Sequence, residues 1–285
     1  MDVLVAGGTG FIGRVLCRTL SRRGHDVTAA GRSPPATMGD IETARLDVTD
    51  PDLVDTVAGH DAVVNLVALP AHVQSARSHD AVHRRGTQNL VSASEATGVD
   101  RFVQTSALGV DSDVETAYFA AKRAGERIVR DSELDWVIYR PSIVFGDGCA
   151  FLAFLRKLAA ARIVPLPGGG QLRIQPIWVD DLATMVADGV EADRHTGETY
   201  ELGGPEVLTL AETVVLVRPD AIVLPLPMPV AAAGATIAEY IPGIPIGRDQ
   251  YRVQTLDNTA SPNDITAFGF ETGDLRSLSE YLQAY

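Results

Sequence analysis

Residues 2–24 read DVLVAGGTGFIGRVLCRTLSRRG. A short apolar run, Asp2 to Ala6, is followed by glycines at 7, 10 and 13. Apolar residues at helical spacing then run on to Gly24. Each glycine has its own reason in a strand-to-helix turn that cradles a phosphate. Gly7 permits a tight turn at positive φ. Gly10 lets the backbone approach a pyrophosphate, and Gly13 lets the helix lie close on the strand. The helix start then presents unpaired N–H groups and the positive end of its dipole to the anion. Glycines in this spacing are weak evidence alone; placed between a strand and an amphipathic helix they predict a dinucleotide loop.

The same alternation continues downstream. HDVTAAG (25–31), TARLDV (43–48), DAVVNLVAL (61–69), RFVQTSAL (101–108) and DWVIYRPSIVFG (135–146) read as strands. A helix is expected from Asp50 as cap and Pro51 as first residue, a long one over 80–98, and another over TAYFAAKRAGERIVRDS (116–132). Strands alternating with helices in this way predict βαβ crossovers, hence an α/β fold with a doubly wound parallel sheet (Rossmann) and a smaller C-terminal substrate lobe. After Gly146 the rhythm breaks into proline- and glycine-rich pieces. The expected division is a dinucleotide-binding domain over 1–145 and about 171–200, with about 146–170 and 201–285 forming the smaller lobe. Within 171–200, RIQPIWVDDLATMVADGV predicts a strand and a helix capped by Asp180 or Asp181, returning to the large domain. Gly168 to Gly170 read as a hairpin or flap, and VDSDVE (110–115) as a solvated loop.

The chain has 285 residues and a formal net charge of −13. An acidic surface repels nucleic acid and anionic membranes, which excludes nucleic acid as the expected partner. The most apolar late stretch, PVAAAGATIAEYIPGIPIG (229–247), is interrupted by Glu239 and prolines, whereas a membrane span needs about 20 apolar residues. It reads as a buried or interfacial helix. The opening MDVLVAGG does not read as a signal peptide, having no basic stretch and too short an apolar run, so none is expected. Cys17 and Cys149 are far apart and read as free thiols in a reducing cytoplasm. His79 and His83, with His72 before them, invite a metal, but no acidic or cysteine partner completes a site, so no metal is expected.

Among 24 basic residues only Lys122 and Lys157 are lysines. Lys122 follows Tyr118 by four residues in a predicted helix, so both point from one face. An ammonium there is expected to lower a phenol pKa that starts near 10, and a phenol so tuned shuttles a proton. Ser106, with Thr105 as the alternate hydroxyl, ends the fifth strand, where it can polarise a carbonyl or simply bond local backbone. At the end of the second strand, where an NAD-binder usually carries an acid, stand Gly31 and Arg32. The glycine is expected to leave room for a 2′-phosphate and the guanidinium to pair with it. NADP(H) is therefore the favoured cofactor, with NAD(H) as the alternative.

These segments together resemble the short-chain dehydrogenase/reductase superfamily, in its extended or atypical branch of NAD-dependent epimerase/dehydratase-like proteins. There is particular likeness to the group of the accessory subunit of respiratory complex I that binds NADPH. GGTGFIG resembles the cofactor loop, which implies contacts from Gly7, Gly10, Phe11, Ile12 and Gly13. LDVTD resembles the segment whose Asp47 and Val48 flank the adenine, and NLVAL the strand end whose Val67 and Ala68 line the nucleotide. YFAAKRAGERIVRDSELDWVIYRPSIVFG resembles the active-site helix and the strand ending at Pro141, and QPIWVDDLA a later signature of the family. The resemblance implies Tyr118, Lys122 and Ser106 as catalytic residues, Lys122 also holding the ribose. Ser106 and Tyr118 are twelve apart, a shorter approach than in classical extended members.

Three functions follow as expectations. The first is an NADP(H)-dependent oxidoreductase acting on a small or lipid-like carbonyl or alcohol. The second is a non-catalytic NADPH-binding accessory or assembly protein associated with a respiratory or quinone-related complex. The third is a sugar-nucleotide epimerase or dehydratase, against which Gly31 and Arg32 count. The resemblance implies a cytoplasmic location, or one peripheral to the inner face of the membrane.

Overall fold

The structure is a computed structural model and describes residues 1–69, 76–231 and 256–284. Strand β1 (Asp2–Ala6) leads into helix α1 (Phe11–Arg22), followed by β2 (Asp26–Gly31), β3 (Glu42–Arg45), α2 (Val54–Val57) and β4 (Ala62–Asn65). Next come α3 (Ala76–His79), a π-helical turn (Asp80–Arg85), α4 (Gly86–Thr97), β5 (Arg101–Thr105), α5 (Ala117–Arg130) and β6 (Asp135–Pro141). The later elements are β7 (Val144–Phe145), α6 (Ala150–Leu158), β8 (Ile163–Pro167), β9 (Arg173–Ile174), β10 (Ile177–Trp178) and α7 (Val179–Glu191). They are followed by β11 (Glu198–Leu202), β12 (Leu208–Thr209), α8 (Leu210–Val217), β13 (Ile222–Leu226) and α9 (Leu278–Gln283).

Seven strands form one sheet in the order β11-β6-β5-β4-β1-β2-β3, every neighbouring pair parallel. Alternate residues supply opposite faces, as the strand repeat requires. Val3 and Val5 of β1 join a core with Val15, Leu16 and Leu20 of α1 and Leu182, Met185 and Val186 of α7. Leu4 and Ala6 face the other way, into a core with Leu90 and Val91 of α4 and Val129 of α5. Burial on both faces explains why these strands read as continuous apolar runs. The order reverses between β1 and β4, and the loops leaving their C-terminal ends open the crevice where ligands bind in such sheets. A third core joins α6, β8, α8 and α9 through Leu152, Leu155, Val164, Val214 and Leu278.

Several expectations are corrected. Asp50 and Pro51 do not start a helix: Asp50 Oδ1 accepts the Asp52 N–H (3.1 Å), and α2 begins only at Val54. A short polar side chain satisfied by nearby backbone competes with the helix. The helix expected over 80–98 opens as a π turn and becomes α-helical at Gly86, ending as expected at left-handed Gly98. The strand at 43–48 stops at Arg45, because Asp47 Oδ1 turns the chain by accepting from the Thr49 backbone (3.0 Å) and hydroxyl (2.8 Å). Neither Asp180 nor Asp181 caps α7. Both lie in its first turn, and Asp181 Oδ2 accepts the Arg276 N–H instead (3.0 Å). The glycine triplet is a 3₁₀ turn at positive φ and not a hairpin, since β8 pairs with β13. In the 110–115 loop Val110 is buried and Asp111 is ion-paired with Arg140 (2.6 Å), so it is only partly solvated.

The late apolar stretch lies outside the described residues beyond Ala231, as does His72. The C-terminal residues Ile265, Phe268 and Leu275 pack into the core of the large sheet, which the expected division did not foresee. Among the described residues, no helix is long and apolar enough to cross a membrane.

Candidate functional site

The loop after β1 has the geometry its glycines suggest. Gly7 sits at φ 85°, and a Cβ on Gly13 would lie 2.2 Å from the Gly7 carbonyl oxygen, so α1 and the loop touch backbone to backbone. Gly10 is exposed, and a Cβ there would meet only the Gly7 oxygen, at 3.1 Å. The first turn of α1 carries no acid and its N-cap makes no side-chain bond, leaving the N–H groups of half-buried Phe11 and Ile12 and of Gly13 for an anion. Arg14, exposed beside the loop, donates from Nε to the Thr9 carbonyl (2.8 Å).

At the end of β2 the first loop comes close. A Cβ on Gly31 would lie 2.6 Å from Thr9 Oγ1, so the threonine hydroxyl stands beside Gly31. Arg32 beyond it is exposed. Asp47 is held below the usual carboxylate range chiefly by the Thr49 N–H and hydroxyl, with smaller help from Arg32 and Arg45. Val48 is buried, its carbonyl bound by Asn89 Nδ2 (2.9 Å). After β4, Val67 donates its N–H to Asn65 Oδ1 (3.1 Å), Ala68 is exposed, and Leu69 donates its N–H to His83 Nε2 (3.3 Å).

Helix α5 starts at a Thr116 cap, whose hydroxyl accepts the Phe119 N–H (3.1 Å). Lys122 is 4% exposed and donates from Nζ to the Thr105 carbonyl at the end of β5 (3.0 Å). The expected lowering of the Tyr118 phenol is not present: burial pushes it up to about 12, while burial draws Lys122 down to about 8 against a smaller pull from Glu126. Thr105 Oγ1 is buried without a hydrogen-bond partner. Ser106 lies near enough to Glu126 to help hold that carboxyl low, so its hydroxyl is not an open strand-end group. Pro141 is buried at the end of β6, and its carbonyl accepts the Leu108 N–H (3.2 Å).

Three features have no local signal in the sequence. Glu126, 1% exposed, takes a two-point grip from Arg140 (Nε 2.9 Å, Nη2 2.7 Å) and a third bond from Arg130 (2.8 Å). His79 and His83, weighed in sequence only as metal ligands, are stacked on each other (5.5 Å) and stand edge-on to the Tyr118 ring at 5.6 and 5.5 Å. Among the described residues no three His, Cys, Asp or Glu side chains could hold a metal. Thr9, its hydroxyl beside Gly31, is the third.

Gly7, Gly10, Gly13, Arg32, Asp47, Val67, Thr105, Lys122 and Pro141 thus gather along the C-terminal edge of one parallel sheet. An acid-free helix start, an open glycine and an orphaned hydroxyl at the end of β5 fit a dinucleotide, and a chain with this fold and edge is a nucleotide-binding α/β protein of the doubly wound class. It matches the NAD dependent epimerase/dehydratase family over residues 3–203 and belongs to that family. Nicotinamide dinucleotide is accordingly the cofactor class.

Its relatives include the NADH dehydrogenase (ubiquinone) 1 alpha subcomplex subunit 9, mitochondrial, of Arabidopsis thaliana, 29% identical over 92% of this chain and 71% of that protein. A 2-alkyl-3-oxoalkanoate reductase of Stenotrophomonas maltophilia is 31% identical over 75% of this chain and 74% of that protein. Other relatives are longer: the chain spans 57% of the NADH-ubiquinone oxidoreductase 40 kDa subunit of Neurospora crassa. The fold is shared with DesIV, a dTDP-glucose 4,6-dehydratase of Streptomyces venezuelae solved with NAD and TYD bound (TM-score 0.69, 22% identity, 80% of this chain and 84% of that one).

Proposed function

We propose that the chain is an NADP(H)-dependent reductase of a carbonyl on a small or lipid-like molecule. The observation that carries this is the placement of Tyr118 and Lys122 on one face of α5, with Lys122 Nζ on the Thr105 carbonyl beside the Thr105 hydroxyl, which has no partner. Gly7, Gly10, Phe11, Ile12 and Gly13 would hold the pyrophosphate; Asp47, Val48, Val67, Ala68 and Pro141 would flank the nucleotide. Arg32 argues for the 2′-phosphate. A nicotinamide dinucleotide held by these residues would supply the hydride that the carbonyl carbon takes up. Tyr118, which keeps its proton up to about pH 12, gives that proton to the carbonyl oxygen as the alcohol forms. Thr105 carries the hydroxyl available to orient the oxygen; Ser106 would do so only by leaving the Glu126 carboxyl. Lys122 has two further N–H groups, one for the ribose and one to face the phenolate left when Tyr118 gives up its proton. A phenol that enters protonated suits reduction, and the alkyl-bearing substrate class named for the Stenotrophomonas relative supports a lipid-like ketone.

A second reading is a nucleotide-binding accessory protein of a respiratory complex, peripheral to a membrane. It is favoured by the likeness to complex I subunits and by Ser106 being turned in beside Glu126. Two variants separate the readings. For a reductase, Tyr118→Phe cuts turnover at least about a hundred-fold and leaves NADPH affinity similar. For a structural cofactor, Tyr118→Phe is silent, and Lys122→Ala shows as lost NADPH and a lower thermal midpoint. Wild type that retains NADPH through gel filtration but oxidises none across a carbonyl panel overturns the reductase.

A further inference from the structure

We propose that His83 is a positioning residue that clamps the loop leaving β4 against the wall on which Tyr118 rests, so that nucleotide binding on that loop and the setting of the phenol are linked. The proposal rests on the oxidoreductase reading above for its effect on turnover, but not for its effect on cofactor affinity.

The β4 exit loop is tied twice to the same stretch of helix. At its start, Asn65 Oδ1 accepts the Val67 N–H (3.1 Å), while Asn65 Nδ2 reaches Gln104 (2.9 Å) and, at 3.4 Å, Thr87 Oγ1. At its far side, the Leu69 N–H is accepted by His83 Nε2 (3.3 Å). Val67 and Ala68 lie between the two ties. An imidazole that accepts at Nε2 carries its proton on Nδ1 and is neutral. Its surroundings enforce that state: burial first, then the ammonium of Lys122 and the ring of His79, bring its pKa down to about 3.

The other edge of the same segment fixes α5. The His83 carbonyl accepts from Thr87 Oγ1 (2.8 Å) and lies where a Cβ on Gly125 would come within 2.5 Å. Gly125 is on α5, three residues beyond Lys122. The His83 ring, 3% exposed, meets Tyr118 at an interplanar angle of 90°, and His79 lies stacked behind it. A six-residue π turn at this place is consistent with a local distortion kept for a site. His83 therefore touches three things at once: the backbone of the nucleotide-side loop, the phenol ring and the close contact with α5. Phenylalanine at 83 would keep the ring packing and lose the acceptor. Glutamine would place a carbonyl oxygen near the position of Nε2 and keep it.

The test uses the full chain as His83→Phe and His83→Gln. The probes are NADPH and NADH titrated by fluorescence, the tighter binder serving as reference, together with carbonyl reduction and the thermal midpoint. His83→Phe is expected to bind the dinucleotide about ten-fold more weakly, the scale of one part-buried N–H left without its acceptor, and to lose kcat by a comparable factor. His83→Gln is expected to restore affinity to near wild type. Unchanged affinity in His83→Phe overturns the proposal. So does an equal loss in both variants alongside an equal fall in thermal midpoint, which marks a merely structural ring. If wild type binds the dinucleotide but reduces nothing, the reductase reading fails, and the clamp is still decided by the affinities of the two variants. A wild type that binds neither nucleotide overturns both.

Discussion

Gly13→Ala and Gly10→Val test separately the two jobs assigned to the glycine loop. A Cβ on Gly13 would lie 2.2 Å from the Gly7 oxygen, 2.6 Å from the Gly8 Cα and 2.8 Å from the Gly8 carbonyl carbon. All three are backbone atoms in the turn that β1 fixes, and ordinary contact begins at 3.4 Å. The helix must therefore move off the loop by about 1 Å, disturbing Val15, Leu16 and Leu20 in the core they share with β1, β2 and α7. Overpacking of this kind costs about 1–3 kcal/mol, and a clash with backbone, which cannot rotate away, belongs at the upper end. Gly10 is the opposite case: exposed, with one Cβ contact at 3.1 Å. Valine there, at the N-cap of α1, costs about 1 kcal/mol, well short of unfolding, while projecting into the space a pyrophosphate needs. Urea denaturation and NADPH titration of both proteins give the check. Gly13→Ala is expected to fall in stability and Gly10→Val to lose nucleotide binding without unfolding. Equal NADPH affinity in Gly10→Val refutes the loop as the phosphate site, and unchanged stability in Gly13→Ala refutes the account of its packing.

The parts of this protein legible in the sequence are those carried by short-range pattern. The turn from β1 into α1, the buried strands, and Tyr118 and Lys122 on one helix face follow from spacings of three, four or two residues. What was not legible joins residues far apart in the chain. Arg140 grips Glu126 across fourteen residues, His83 reaches back fourteen to Leu69, and Thr9 lies over Gly31. The last of these bears on a reading: a small residue at the end of β2 suggests space, and the fold sets a threonine hydroxyl where a side chain at 31 would begin. The phenol shows the same limit. The spacing put a cation near Tyr118, but only the fold shows that Lys122 spends one N–H on the Thr105 carbonyl and that burial dominates both groups. The π turn could not be told from an α-helix, because six residues are too few for the two periodicities to diverge. The shortened α2 was lost to an aspartate bonding its own neighbourhood.

Three further outcomes are expected. Arg32→Ala weakens NADPH binding about ten-fold at low salt and leaves NADH nearly unchanged, because an exposed guanidinium–phosphate pair is screened; wild type binding NADH more tightly than NADPH removes Arg32 from the account. Glu126→Gln leaves the Arg140 guanidinium, 8% exposed on its side chain, with Asp111 and Glu201 but without its two-point partner. Stability is expected to fall by about 3 kcal/mol, the scale of breaking a buried pair from one side, and an unchanged denaturation midpoint counts against that role. Asp181 gives the pH dependence. Burial raises its carboxyl from the ordinary 3.8 to about 6, against smaller lowering by the Arg276 N–H. The folded chain thus holds this proton more tightly than the unfolded chain between those values. Its contribution to stability is full below the unfolded pKa and is lost as pH rises through about 6. A two-unit shift corresponds to at most about 3 kcal/mol, and the positive end of α7 together with partial solvent access reduces this to about 1 kcal/mol. Asparagine keeps an oxygen for the Arg276 N–H and carries no charge. Asp181→Asn is therefore expected to match wild type near pH 4 and to exceed its stability by about that amount near pH 8. Denaturation curves at the two pH values decide it: a variant less stable than wild type at the higher pH means that the carboxylate is ionised there and favourably held, and the burial argument is wrong.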